Sequence, residues 1–523
     1  MSTVYRRPGT YVEEVVFSQN IEAQGLATPL GAFVGEALRG PVDAPAFVGS
    51  WTDFTRIFGQ FRSADGRKAY RLAQSVFQFF GNGGRGAWIQ RVVGADSGRA
   101  TAQFLAGETP VLTVNALDPG DWAVGNLYVQ VVDVNSSGEA AMDGDTFTLL
   151  VYSGGVGVGY IVERWTDLSL DPGHTRYALN VVNENSGWIS LERPAADGYL
   201  PPTENEVAVA LAKASGTVGS LDGETPSATN YTDAAEKFDI VPSNLLFNVP
   251  DAYDLAAEQA SLIHNTFIAK AEERGDSFVV VDVPKISESV PAEAKSWALS
   301  VNASANAAIY YPSLQIANPV PGAGRSPITV PSGGSVIGMY HYTDAARGVF
   351  KTPAGLGTSL GGVVNVSKLL TPRQLDELNT AARPVNVIRP VPGAGICIMG
   401  GRTAAGPSGL RYIGSRRTLL GIKKELTDRT TFAVMENNDA NLWAKVSTTC
   451  SIYLNDLWQA GGLKGAVPEE AFYVKCDSTN NTRNSIDSGV LNVEVGVALQ
   501  TPAEFVVIRI GQFDGGSTVS ETN

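Results

Sequence analysis

Residues 278–283 read FVVVDV, an almost unbroken apolar run. A strand wetted on one side alternates apolar and polar residues, whereas a continuous β-branched run is stable only where both faces are covered. This segment therefore calls for a sheet with helices on both sides, and the neighbouring sequence supplies them. An amphipathic helix is predicted over 252–273, with Leu255, Ala256, Leu262, Ile263 and Phe267 as its apolar residues. A second is predicted over 291–301, where Pro291 suits a first helical turn. The next strand lies at 307–311. Thr371-Pro372-Arg373-Gln374 is a capping box that opens a helix over 372–381, and strands follow at 385–389 and 395–399. Alternation of this kind predicts a mostly parallel sheet covered by helices.

The same pattern occurs near the start. A strand is predicted at 30–35, and a short helix opens at Ser50 and ends near Gly59. A longer helix over 67–80 carries the stripe Ala69, Leu72, Ala73, Val76, Phe77 and Phe80. Gly81-Asn82-Gly83-Gly84 stops it, and a strand follows over 87–93. Between these two α/β stretches the character changes. Gly, Asp, Ser and Thr punctuate short strands at 126–134, 146–152 and 160–164, with little helical period.

The expected fold class is α/β and α+β multidomain, since 523 residues exceed one compact core. The expected parts are an arm of 1–20, a discontinuous α/β core of 21–98 with 235–400, a mainly β insertion of 99–234, a C-terminal domain of 401–510 and a polar tail of 511–523.

Within 401–510 a helix is predicted over 417–426 and a strand over 431–435. A long helix follows from about Asn438 to Ala460, with the stripe Leu442, Val446, Cys450, Tyr453 and Leu457. Asn438 or Asp439 caps its start and Gly461 its end. Segment 490–500 then alternates strictly, placing Leu491, Val493, Val495, Val497 and Leu499 on one face. Thr501-Pro502 breaks it, and 505–510 is a second apolar strand. Together with the β-rich stretch TYVEEVVF at 10–17, these are terminal strands in search of a sheet, able to pair with another copy of the chain.

Composition narrows the chemistry. The formal net charge of −14 disfavours nonspecific binding to nucleic acid or anionic membranes. No signal-peptide core precedes the fold, and no segment approaches the ~18–20 apolar residues of a membrane span, so synthesis in the bacterial cytoplasm is expected. Three scattered cysteines make neither a disulfide framework nor a zinc ribbon; Cys397 and Cys450 are expected to be buried thiols. No His/Cys spacing suits a metal, and the glycine clusters, Gly333-Gly334 among them, complete no phosphate-binding motif and read as turns. No cofactor or metal is therefore expected. The alternative function is an α/β hydrolase-type enzyme, because Gly357-Thr358-Ser359 resembles the setting of the subtilisin nucleophile. His341 and Asp282 are its available partners. None of the histidines lies in a matching motif, so no catalytic residue is assigned.

Several phrases carry a family resemblance: RRPGTYVEEV at the start, TDAARGVFKTPAG at 343–355, VNVIRPVPGAGICIMGGRT at 385–403, RRTLLGIKKEL at 416–426, LNDLWQAGGLKGAVPEEAFYVKCD, and LNVEVGVALQTPAEFVVIRI. In this order they resemble the tail sheath proteins of contractile-tailed phages, R-type pyocins and contractile injection systems, over about 1–95 and 240–510. The resemblance implies a structural subunit that polymerises helically around an inner tube and contracts to drive the tube through a cell envelope. It implies as partners the chain itself, the tube protein, and baseplate and tail-terminator proteins, within a virion tail or tail-like particle. It also implies inter-subunit arms, placed here at Tyr11, Val12, Val15 and Val16, at Leu491, Val493 and Val495, and at Phe505, Val507 and Ile508. A C-terminal-domain helix would face the tube. Its match here is the 438–460 helix, whose outer face offers Asn441, Lys445, Thr448, Asn455 and Asp456, with Lys445 as the tube-facing candidate.

Overall fold

The structure, a computed structural model, describes residues 29–504 apart from 64–65, 67, 136–144, 195–198, 215–219, 321–323 and 325. The expected arm residues Tyr11, Val12, Val15, Val16, Phe505, Val507 and Ile508 lie outside the described residues.

Its centre is an eight-stranded sheet in the order Gly395–Ile398, Val385–Val391, Ala307–Tyr311, Phe278–Asp282, Leu245–Asn248, Leu30–Gly35, Ala87–Arg91, Ala46–Val48. The outermost strands are antiparallel to their neighbours, and every pairing between them is parallel. All five residues of Phe278–Asp282 are buried, as the FVVVDV run requires. Val279 and Val281 pack on one face against the helices Ala257–Arg274 and Pro291–Ala298. Phe278 and Val280 pack on the other, among residues of the helices Arg71–Gly81 and Gly333–Arg347. The apolar run is thus divided between two cores, which is why it cannot alternate.

The helix Gly333–Arg347 corrects the sequence reading, which took Gly333-Gly334 as a turn. Here glycine permits close approach. A Cβ on Gly334 would sit 2.1 Å from the Ser75 carbonyl oxygen, and one on Gly338 would sit 2.5 Å from that of Phe79. Two helix backbones therefore meet along an i, i+4 glycine seam. Asp282 supplies the N-terminal cap from a distant strand. Its Oδ1 accepts from the backbone N–H of Ser332 and Gly333, both at 2.8 Å, and from Ser332 Oγ at 2.9 Å.

Residues 99–234 fold mainly as two antiparallel sheets, of four and three strands, around their own core of Leu112, Val114, Leu127, Phe147, Leu149 and others. The chain enters and leaves this unit along one paired stalk. Gly94 N–H donates to the Asp222 carbonyl, Gly98 N–H to Leu221, and Glu224 N–H to Ala95, at 3.3, 3.0 and 3.1 Å. The backbones touch: a Cβ on Gly94 would fall 1.6 Å from the Glu224 carbonyl oxygen. At the base of the stalk the buried Arg91 donates to the carbonyls of Ala37, Gly40 and Pro119, joining the two units. The strands that flank the insertion in sequence, Ala87–Arg91 and Leu245–Asn248, both pair parallel with Leu30–Gly35, which lies between them.

Candidate assembly interface

The C-terminal part is tied to the α/β unit by the helix Ile413–Arg429, which serves two cores at once. Ile413 and Leu420 are buried with the sheet, while Ile422 and Leu426 pack with the C-terminal helix. Arg417 crosses this junction fully buried. Its guanidinium donates to Asp344 Oδ1 at 3.0 Å and lies 4.6 Å from the centre of the Tyr340 ring. Burial lifts the Asp344 carboxyl above its ordinary value against the pull of Arg417.

The helix Ala440–Gln459 is capped by Asp439, whose Oδ1 accepts from the N–H groups of Asn441 and Leu442 at 2.9 and 3.0 Å. Ala460 ends it, and Gly461 follows in the left-handed region. The predicted stripe points inward: Leu442, Val446 and Cys450 form one cluster, and Tyr453 and Leu457 join another with Leu454. Asn441, Lys445, Thr448 and Asp456 lie on the exposed face, and Asn455 is half-buried. Ile452 adds an apolar centre to that face at 57% exposure. Lys445 is not a free-swinging charge, since its Nζ sits 4.3 Å from the Phe432 ring centre.

The segment 431–435 is not the strand expected. Thr431–Ala433 is a 3-10 turn, and Met435 takes φ +66° with its side chain 99% exposed. Its neighbour Val434 is also exposed. Among the described residues the segment pairs with no strand. Nothing in the sequence signals the exposed Met435.

The alternating segment 490–500 is also shorter as a strand than its period predicts. Glu494–Val497 pairs antiparallel to Phe472–Lys475, with Val495 opposite Val474, and beyond it Leu499 makes an isolated bridge to Leu463. Leu491 packs against Leu442, Val446 and Cys450, and Val495 against the Leu454 cluster, so both serve their own chain's core. Val493 is exposed. Asn480 and Asn481 side chains take the Asn492 carbonyl, and this capping replaces ladder bonds and ends the strand early. Among the described residues neither strand has a second neighbour. A two-stranded ribbon is marginal alone and offers backbone groups on both outer edges.

The residues considered for hydrolysis are engaged elsewhere. Asp282 caps a helix. His341 Nδ1 accepts from Arg85 N–H at 3.2 Å, and burial, with Arg417 and Arg85 nearby, pushes its pKa down to about 3. Ser359 is exposed, where its backbone bridges to the Cys397 strand. No hydrogen bond joins the three. Burial likewise takes His264 down to about 4. Among the described residues no cluster of His, Cys, Asp or Glu is arranged to hold a metal, and no helix is long and apolar enough to cross a membrane.

An α/β sheet unit, an inserted β unit, and a C-terminal unit ending in an unfinished ribbon together define a sheath-type fold. Residues 407–513 match the family described as phage tail sheath C-terminal domain. The whole chain is similar to the contracted sheath complex of PVC, an extracellular contractile injection system, at 20% identity and TM-score 0.54, covering 98% of this chain and 99% of that one. It is similar to the contracted helical sheath of the anti-feeding prophage at 21% and 0.56, covering 97% and 100%. It is similar to a sheath tail protein of Listeria innocua at 12% and 0.59, covering 91% and 96%. No curated protein matches significantly.

Proposed function

We propose that this chain is the sheath subunit of a contractile tail or injection machine: it polymerises around an inner tube and contracts to drive that tube through a target envelope. The observation that carries the reading is the two-stranded ribbon of Phe472–Lys475 and Glu494–Val497, without a third strand among the described residues, within a region that matches the sheath C-terminal domain family. Strands added by neighbouring copies complete such a ribbon through backbone hydrogen bonds. The strands that do so are 10–17, around Tyr11, Val12, Val15 and Val16, and 505–510, around Phe505, Val507 and Ile508. A heterologous contact repeated in this way grows a helical polymer. Contraction is then a re-packing of rigid bodies held together by the arms, with a few kcal/mol per subunit as a sufficient bias. No catalytic group enters this account.

The tube-facing element is the outer face of Ala440–Gln459. Lys445, steadied by Phe432, supplies its basic group, and Ile452 an apolar one. The remaining partners are baseplate and tail-terminator proteins, with synthesis in the bacterial cytoplasm and assembly into a virion tail or tail-like particle. Electron microscopy of the purified chain tests the reading. Tubes or rings are expected from the full chain, and none from a chain lacking residues 1–18, although that truncation keeps its cooperative melt. Full-length tubes from the truncated chain would refute the role of the N-terminal arm, and a permanently monomeric full chain would refute the polymer.

A further inference from the structure

The last described residue of the chain, Glu504, is held by groups that belong to the α/β unit and to its junction with the C-terminal helix. Arg402 Nε donates to its Oε1 and Arg402 Nη2 to its Oε2, both at 2.8 Å, a two-pronged pairing. Tyr412 OH donates to Oε2 at 3.2 Å, and Asn379 Nδ2 to Oε1 at 3.3 Å. The site is shaped before the carboxylate arrives. Arg402 Nη1 is spent on the Asn379 carbonyl at 2.8 Å, which leaves Nε and Nη2 as a fork aimed outward. Its backbone N–H is fixed by Asn386 Oδ1, and its strand bridges to Tyr412. Asn379 ends the helix Pro372–Asn379, and Tyr412 caps the helix Ile413–Arg429, so three separate elements converge.

A second attachment lies four residues upstream. Ser415 Oγ donates to the Gln500 carbonyl at 2.7 Å, and Gln500 Nε2 donates to the Leu463 carbonyl at 3.0 Å. Segment 500–504 is thus strapped from the ribbon across to the α/β unit. The half-buried pair has side-chain exposures of 17% and 23%, well below those of an ordinary surface ion pair. Burial works against the Glu504 carboxylate, yet Arg402, Asn379 and Tyr412 together hold it below its usual range.

We infer that Arg402, Tyr412 and Asn379 form a carboxylate-recognition site whose ligand is the chain's own Glu504, and that it anchors the root of the C-terminal strand to the α/β unit of the same subunit. The inference rests on the sheath reading for its purpose. A strand that bridges to a neighbour carries load, and its direction of exit decides which neighbour it meets. Thr501-Pro502 alone would leave that exit free to swivel. The clamp makes it a fixed property of the α/β unit, so the strand's root keeps its place in the subunit while subunits re-pack.

The test is a nitroxide at Ala503→Cys, an exposed position in a chain whose own cysteines are all buried. In the unassembled protein the label is expected to be immobilised, independently of dilution. Arg402→Met and Glu504→Gln should each raise the mobile fraction, on the order of tenfold from the loss of a charge-assisted pair. The swap Arg402→Glu with Glu504→Arg should restore much of the immobilisation. A label already mobile in the parent, or unmoved by Arg402→Met, overturns the anchor. Immobilisation that vanishes on dilution overturns it too, because the carboxylate then comes from a second copy. Microscopy of the same samples separates the two claims. Tubes with a mobile label leave the sheath reading and remove the anchor, whereas a responsive label without tubes does the reverse.

Discussion

Replacing Arg417 by methionine tests the junction most directly. Methionine keeps much of the side chain's volume but removes the charge facing Asp344, whose side chain is fully buried, as is that of Arg417 itself at 2% exposure. Asp344 loses both of its guanidinium hydrogen bonds and stays in a low-dielectric site. Breaking a buried pair from one side costs about 3–5 kcal/mol. The lost stacking of the guanidinium on Tyr340 adds roughly 1 kcal/mol. Against a typical stability of about 5–15 kcal/mol, this is a large fraction. Urea unfolding followed by both tryptophan fluorescence and circular dichroism reads it. The loss should grow as pH rises above the ordinary carboxylate range, because the folded state must then keep on the stranded Asp344 a proton that the unfolded chain gives up. The double change Arg417→Met with Asp344→Leu should recover most of it, since an apolar replacement of a buried pair is often neutral. A single mutant within about 1 kcal/mol of the parent would show that the pair does not hold the junction.

Four further outcomes are expected. Gly338→Ala forces a Cβ to within 2.5 Å of the Phe79 carbonyl oxygen, and should lower stability by about 1–3 kcal/mol in a thermal melt; an unchanged melt would mean the helix seam is slack. Asp251 is pushed up to about 7 by burial and by the Glu36 charge, so the folded state binds its proton more tightly than the unfolded one. Stability from this group is therefore greatest below about pH 4 and declines up to about pH 7; Asp251→Asn should flatten the dependence of Tm on pH across that window, and parallel curves would exclude the site as the cause. Joining Gly98 to Leu221 by a short Gly/Ser linker should leave a folded α/β unit, weakened by about 1–3 kcal/mol because Arg91 loses the Pro119 carbonyl; collapse of the circular dichroism spectrum would contradict this. Lys445→Glu should impair co-sedimentation with the inner tube while leaving sheath self-assembly intact, and unchanged binding across a range of salt would reject the contact.

The legible parts of this fold are those where local pattern and burial agree. FVVVDV announces a strand covered on both faces, and Thr371 and Asp439 announce the helices they cap, because cap, period and core all favour one answer. The helix Gly333–Arg347 was illegible because its glycines, poor helix formers, are there for close packing against Arg71–Gly81, which no local propensity records. Segment 490–500 has a true strand period, but period cannot say how many residues find a partner. The asparagines at 480 and 481 decide that by capturing the Asn492 carbonyl. In the candidate interface the inward stripe of the long helix and the outward position of Lys445 follow from a 3.6-residue period. Phe432 beneath Lys445 and the three-residue clamp on Glu504 depend on tertiary contacts between separate elements, and no spacing rule reaches them.

The stalk at Gly94–Gly98 and 221–224 has a consequence for how such a chain can change over time. Its two segments enter and leave the insertion hydrogen-bonded to one another, and the flanking strands Ala87–Arg91 and Leu245–Asn248 sit on either side of Leu30–Gly35 in the large sheet. The chain passes in and out through this one doorway, and the further contacts, Arg39 over the Trp122 and Trp188 rings and Gly40 N–H to Asp118, come from the loop after Leu30–Gly35. The insertion can then be lengthened, shortened or exchanged by recombination without shifting the sheet by a residue. In a polymer the same doorway repeats once per subunit. In the proposed polymer, a foreign domain with adjacent termini grafted between Gly98 and Leu221 would recur at every subunit, at a spacing set by the polymer and not by the graft.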